Sequence, residues 1–356
     1  MSPLLEQLSS RIRSDGPISL ADYMAECLLH PEHGYYTTHS PFGAAGDFTT
    51  APEISQMFGE LIGLSLAQCW LDQGAPSPFT LAELGPGRGT LMADLLRATR
   101  HVPGFHAALQ LYLIEASPNL RATQKEALKT YEIHWADSVD ALPKQPLFLV
   151  ANEFFDALPI RQFVRDTEGW REKRVGLADG SLTFGLGPQA PQPALEHRLL
   201  DTKPDDLVEL NPGLAPITAT LAQRIASHGG AALIVDYGDW RSLGDTLQAL
   251  KAHAPADPLD APGTADLTAH VDFEVLCTVA SGAGCSHSKL TPQGIFLERL
   301  GIPERARALA AKLEGESLEN LISAHRRLTH PEEMGNLFKV LGLTPANTPP
   351  PPGLLS

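Results

Sequence analysis

Phe79-Thr-Leu-Ala-Glu-Leu-Gly-Pro-Gly-Arg-Gly-Thr-Leu91 is the stretch that decides the fold. Apolar Phe79, Leu81 and Leu84 lead to three glycines, Gly85, Gly87 and Gly89, and Leu91-Met-Ala-Asp-Leu-Leu-Arg97 then takes up helical spacing. A short strand, a glycine turn and the start of a helix are expected. Glycine is needed where the backbone takes positive φ or lies against a ligand, because a Cβ would not fit. An α/β sheet binds ligands beyond the carboxyl ends of its strands, so this turn should line a nucleotide-like pocket. The dinucleotide fingerprint G-x-G-x-x-G would place glycines at 85, 87 and 90, but position 90 is Thr90 and the third glycine is Gly89. An ordinary tight turn is the alternative.

The 356 residues suffice for one large α/β domain with insertions or for two domains. A hydrophobic content of 43% and a charged content of 19% describe a globular protein with a sizeable core. The net charge of −15 and a pI near 5.3 argue against a nucleic-acid backbone or an anionic membrane as main partner, and suit a cationic substrate. The four cysteines, Cys27, Cys69, Cys277 and Cys285, form no C-x-x-C pair, which points to a reducing compartment. Cys277, Cys285 and His287 cluster, but their spacing matches no zinc module and no metal is expected. No apolar run is long enough to span a bilayer. Met1-Ser-Pro-Leu-Leu-Glu-Gln7 looks like neither a secretory signal nor an import leader, so a cytoplasmic location is expected.

Around the glycine turn, residues 4–30 carry helical periodicity, with Ser19 and Asp22 spaced as a helix start. Gly43 to Glu60 is a glycine-rich loop running into an amphipathic helix: either a surface loop with an N-cap or a lid over a pocket. Leu109–Glu115 is a second strand whose closing acid, Glu115, is placed to accept hydrogen bonds from both ribose hydroxyls of a nucleoside. Tyr131–Trp135 reads as a third strand, with Asp137 or Ser138 after it placed where either could face the base of such a nucleoside. Leu147–Ala151 is buried and runs straight into Asn152-Glu-Phe-Phe-Asp156, whose carboxylates are costly there unless paired or functional.

Period-two alternation over Ile160–Arg165, Trp170–Val175 and Ser181–Phe184 predicts an inserted antiparallel meander. Ala231–Gly238 is another buried strand, ending in Asp236 and Tyr237. His270 and Asp272 either belong to the site or, for His270, serve as a structural hydrogen-bonder. Residues 292–333 read as a helical insertion, 336–341 as a closing strand, and 342–356 as a proline-rich tail whose Thr344–Gly353 is expected to be disordered. The expected fold is a doubly wound, mainly parallel α/β sheet. Residues 1–78 form a helical extension and lid, and 79–341 the main domain.

Several motifs coincide with a known family. Gly16-Pro-Ile18, His33-Gly-Tyr-Tyr36, Gly46-Asp-Phe-Thr-Thr-Ala-Pro-Glu53 and Ser55-Gln-Met-Phe-Gly-Glu60 precede Glu83-Leu-Gly-Pro-Gly-Arg-Gly-Thr-Leu91. Glu115-Ala-Ser-Pro-Asn-Leu-Arg-Ala-Thr-Gln124, Asn152-Glu-Phe-Phe-Asp-Ala-Leu-Pro159 and Asp236-Tyr-Gly238 follow. Gly244-Asp-Thr-Leu-Gln248, Ala265-Asp-Leu-Thr-Ala-His-Val-Asp-Phe273 and Met334-Gly-Asn-Leu-Phe-Lys339 complete the set. Together they resemble the MidA family of class I S-adenosylmethionine (SAM) methyltransferases from about residue 16 to 341. Glu83-x-Gly85-x-Gly87-x-Gly89 is the class I glycine pattern. Two departures are Pro86, where alanine is common, and Cys285–Gln293, which only partly follows the family's loop.

The resemblance implies a Rossmann-like class I fold and SAM as cofactor, held by Glu83, Gly85, Gly87, Gly89, Glu115, Ser117, Asp137 and Asn152. The family's mitochondrial member is a respiratory complex I assembly factor that dimethylates an arginine symmetrically on a complex I subunit, so a protein substrate and arginine as acceptor are implied here. Carboxylates can hold a guanidinium bidentately and take its proton. Glu153 and Asp156 are the candidates for that role, with Asn152 beside them and Phe154 or Phe155 packing the acceptor plane. Asp47, Phe48, Thr50 and Glu53 on the lid, with Tyr237, His270 and Asp272, would complete the substrate mouth. Glu153 as a carboxylate capping the next helix is the bland alternative. A non-catalytic SAM-binding scaffold and an NAD-dependent oxidoreductase are the competing functions. A scaffold has no need of the strand-end acids, and Thr90 disfavours the oxidoreductase.

Overall fold

Phe79–Leu84 is buried at every position, as a strand with parallel neighbours and covered faces must be. In the computed structural model, which describes residues 2–38, 50–251 and 253–356, Leu109–Ile114 pairs with it on one side and Leu147–Asn152 on the other, both parallel. Ile133–Ala136 extends the first side and Gly230–Asp239 the second, again parallel. Chain order therefore reverses at Phe79–Leu84. Doubly wound sheets leave their ligand crevice beyond the strand ends at such a switch point. Phe338–Pro345 runs antiparallel to Gly230–Asp239, and Cys285–His287 pairs with its outer side. This is the Rossmann-like α/β fold expected. The sheet is locked by aromatic side chains: Trp70, Phe79, Phe105 and Phe148 touch with ring centroids 5.0 to 5.6 Å apart.

The chain divides into two compact units. The large sheet belongs to the unit made of residues 49–155, 215–240 and 271–356, which also holds the helices Gln293–Arg299, Ile302–Ala310 and Gly315–Thr329 of the expected helical insertion. The other unit gathers residues 1–48, 156–214 and 241–270. Its centre is the meander, Arg161–Arg165, Trp170–Ala178 and Ser181–Ala190, antiparallel as its alternation predicts. Ile18–Ser19 and Leu207–Leu210 extend that sheet. Read from sequence, the meander is an insertion within one domain; in the structure it recruits chain from three places. Its apolar face, including Ile160 and Val175, needs a cover, and Leu4, Leu8, Leu20, Tyr23 and Met24 of the N-terminal helices supply it. Ser19 caps the helix Leu20–Leu29: its hydroxyl accepts from the Asp22 amide at 3.0 Å and donates to the Asp22 carboxylate at 2.5 Å.

The tail departs from expectation. Leu354 is buried, Ser65 Oγ donates to the Pro352 carbonyl at 2.9 Å, and the Lys289 amide donates to the Leu355 carbonyl at 2.8 Å. A proline-rich segment has little apolar surface to bury against itself. Here it needs no core of its own, because it lies along Phe296 and Leu300. Leu354→Ala should cost about 2 kcal/mol. A urea midpoint equal to that of the unmutated chain would contradict this packing.

Candidate cofactor and methyl-transfer site

At the end of Phe79–Leu84 the backbone turns through Gly85, Gly87 and Gly89 at φ of 58°, 52° and 82°. A Cβ on Gly85 would come within 3.0 Å of the Phe154 ring. The turn is closed by the Gly85 amide donating to the Ile114 carbonyl at 3.0 Å and the Gly89 amide to the Pro86 carbonyl at 2.8 Å. Behind it lies Glu83, almost wholly buried, with Oε2 meeting no hydrogen-bond donor among the described residues. Burial first, then the charge of Glu115, push its carboxyl up to about 8, against hydrogen bonding from the Met92 amide. The folded protein therefore holds a proton on Glu83 that the unfolded chain releases near 4.5, so stability falls as pH rises between about 4.5 and 8. Melting temperatures of the ligand-free protein across that window should decline less steeply in Glu83→Gln. Equal slopes would contradict the assignment.

Glu115 closes Leu109–Ile114. Its Oε1 accepts from the Ser117 amide at 2.8 Å and its Oε2 from Gln124 Nε2 at 3.1 Å. Burial raises its carboxyl above the usual range. Ser117, expected on the cofactor, is an N-cap whose hydroxyl accepts from the Leu120 amide at 3.4 Å. Asp137, expected near the adenine, has a highly exposed side chain and pairs with Arg121 at 2.6 Å. Arg121 also holds the Glu115 carbonyl, which makes Asp137 a partner of the helix carrying Arg121.

Leu147–Asn152 ends beside the glycine turn. Asn152 Oδ1 is buried and meets no donor among the described residues, while Nδ2 donates to Glu153 Oε1 at 3.0 Å. Glu153 itself stands at φ 50°, sparsely populated for a residue with a Cβ. Asp236, fully buried, fixes the following backbone: its Oδ2 accepts from the amides of Phe155 at 2.9 Å and Phe154 at 3.3 Å. Asp236, a polar strand end in the sequence, is thus a structural anchor of the site. Tyr237 packs its ring edge-on to Phe338.

Thr50–Ile54 spans these two strand ends. Thr50 sits at the N-cap of the short helix Ala51–Ile54 without a side-chain bond to it. The Ala51 amide donates to Glu153 Oε1 at 3.2 Å. Glu53 accepts from Thr90 Oγ1 at 2.5 Å and lies 3.8 Å from Arg88. The helix whose N-terminal amide Glu153 accepts is not the next one but one a hundred residues earlier in the chain. Glu53 is spent on the glycine turn, and Asp47 and Phe48 lie outside the described residues.

Among the described residues, two of the expected site residues, Asp156 and His270, belong to the other unit. Asp156 is buried and its carbonyl accepts from the Ala269 amide at 3.0 Å. The His270 amide donates to Thr246 Oγ1 at 2.9 Å. Asp272, back in the sheet unit, caps the helix Phe273–Gly282 by accepting from the Val275 amide at 3.2 Å. An aspartate just before an apolar helical period is a cap signal that the sequence already carried.

The sheet unit thus brings together a glycine turn and two buried acceptors awaiting donors, Glu83 Oε2 and Asn152 Oδ1, with a second acid, Glu115, on the next strand. That acceptor set fits a ligand carrying N–H and O–H groups, as SAM does. A family described as "Putative S-adenosyl-L-methionine-dependent methyltransferase" matches residues 61–291. The chain is 38% identical over 364 residues to protein arginine methyltransferase NDUFAF7, mitochondrial, of Danio rerio, covering 94% of this chain and 85% of that protein. The human protein of the same name is 36% identical over 373 residues, covering 97% and 84%. A crystal structure of a COG1565 superfamily member from Burkholderia thailandensis, bound to S-adenosyl-homocysteine, superposes with a TM-score of 0.84 at 28% identity, covering 98% of this chain and 94% of that one. The chain belongs to this family of S-adenosyl-L-methionine-dependent methyltransferases.

Proposed function

We propose that the enzyme methylates a guanidinium nitrogen of arginine on a protein substrate, a subunit of respiratory complex I being the favoured class. The observation that carries this reading is agreement over nearly the whole chain with relatives named as protein arginine methyltransferases. Gly85, Gly87, Gly89, Glu83, Glu115 and Asn152 would hold SAM, which supplies a methyl group on a positively charged sulfur. The rest falls to the chain. An arginine side chain is charged at any physiological pH and nucleophilic only when its charge is drawn away from the attacking nitrogen. We assign that task to Glu153, with Asn152 orienting it through their 3.0 Å hydrogen bond and Phe154 packing the acceptor plane. As the nitrogen–carbon bond forms and the carbon–sulfur bond breaks, one N–H proton leaves through a carboxylate to water, and the methylated guanidinium stays a cation.

The net charge of −15 suits an arginine-bearing partner. Four buried, unpaired cysteines suit a reducing compartment such as the cytoplasm. Among the described residues no helix is long and apolar enough to cross a membrane. The test is incubation with methyl-labelled SAM and a lysate lacking the gene. One labelled protein with the mark on arginine supports the reading; a mark on another residue type overturns it. Binding of SAM with no transfer would point to a non-catalytic binding protein.

A further inference from the structure

Gln124 is fully buried in the helix Pro118–Ala127 and spends its amide on the carboxyl ends of three strands. Its Nε2 donates to the Gly87 carbonyl at 2.8 Å and to Glu115 Oε2 at 3.1 Å. Its Oε1 accepts from Trp135 Nε1, on Ile133–Ala136, at 2.9 Å. Chemistry fixes this orientation. Turned over, the amide would face two oxygens with its own oxygen and an indole N–H with its own N–H groups. The helix also lies tight against the turn, since a Cβ on Gly89 would meet Gln124 Cα at 3.6 Å.

We propose that Gln124 is a positioning residue for the cofactor, setting the spacing between the ribose-facing carboxylate of Glu115 and the glycine turn. The inference rests on SAM binding at this turn. Glu115 is held at both oxygens, by the Ser117 amide and by Gln124. Removing the second donor frees one oxygen of a buried carboxyl, which burial already pushes toward protonation. The Gly87 carbonyl loses its partner in the same stroke. One side chain therefore couples Glu115 to the glycine turn.

The test compares Gln124→Leu with the unmutated protein by titration of S-adenosyl-homocysteine and of 5′-methylthioadenosine, which keeps the nucleoside and lacks the amino acid. Both dissociation constants should rise roughly tenfold or more, the effect of losing a hydrogen bond to a charged group. A purely structural role would lower the melting temperature and leave affinity, read well below the transition, unchanged. A value for S-adenosyl-homocysteine within about twofold of the unmutated protein overturns the proposal. So does full additivity with Glu115→Gln in a double-mutant cycle, because the proposed effect runs through Glu115. If Gln124→Leu does not fold, Trp135→Phe decides: it keeps an aromatic side chain, smaller than the indole, and removes the N–H that Gln124 Oε1 accepts. A severalfold loss of affinity supports the role and no loss overturns it. Failure of the unmutated protein to bind S-adenosyl-homocysteine would refute the SAM reading itself, a separate outcome.

Discussion

Gly87→Val is expected to abolish SAM binding, with no saturable heat on titration, while the protein stays folded. Gly87 holds φ at 52° between two further left-handed glycines. Such a conformation is a true outlier for a β-branched residue, at a cost of about 1 to 3 kcal/mol. The turn is only partly buried, so it can escape that strain by changing shape. Changing shape breaks the Gly87 carbonyl's bond to Gln124 and moves the backbone from where the cofactor must lie. The buried strands behind the turn are untouched, and melting should shift by only a few degrees, as about 1 kcal/mol does in a chain of this size. Normal affinity in the variant would refute the assignment of the turn. Gly85→Val offers a second case, because its Cβ would press on the Phe154 ring.

What the sequence disclosed and what it concealed divide along a physical line. Phe79–Leu84, Leu147–Asn152 and Gly230–Asp239 announce themselves because parallel strands covered on both faces are continuous apolar runs. The meander shows because one of its faces is wet. Glu115 was legible as the last residue of a strand. The partners of Glu53 and Glu153 were not. Thr90 lies 37 residues from Glu53, and Ala51 lies 102 from Glu153, and no local period encodes a pairing made by folding. The same holds for Gln124, an unremarkable residue on a helix until three strand ends converge on it. The tail's packing is hidden for a related reason: composition reports what a segment can bury against itself, not the Phe296 and Leu300 side chains it lies along.

Glu153→Gln separates the two duties that converge on one carboxylate. Its Oε1 accepts from the Ala51 amide and from Asn152 Nδ2, and a glutamine oxygen can accept both. The substitution therefore keeps the strut between Leu147–Asn152 and Thr50–Ile54 while removing the negative charge. If Glu153 draws charge from the guanidinium and takes its proton, turnover should fall by about 10²- to 10⁴-fold, the range for a positioned acid–base group. SAM affinity should stay within about twofold, because the glycine turn, Glu115 and the strut all persist. Glu153→Ala goes further. It loses the acceptor for the Ala51 amide as well, which should weaken SAM binding in addition to turnover, since Glu53 on the same short helix holds Thr90 at the turn. Comparing the two variants thus reads the strut as a difference in affinity and the chemistry as a difference in rate. Retained turnover in Glu153→Gln would leave Glu153 as a strut alone and refute its proton-accepting role.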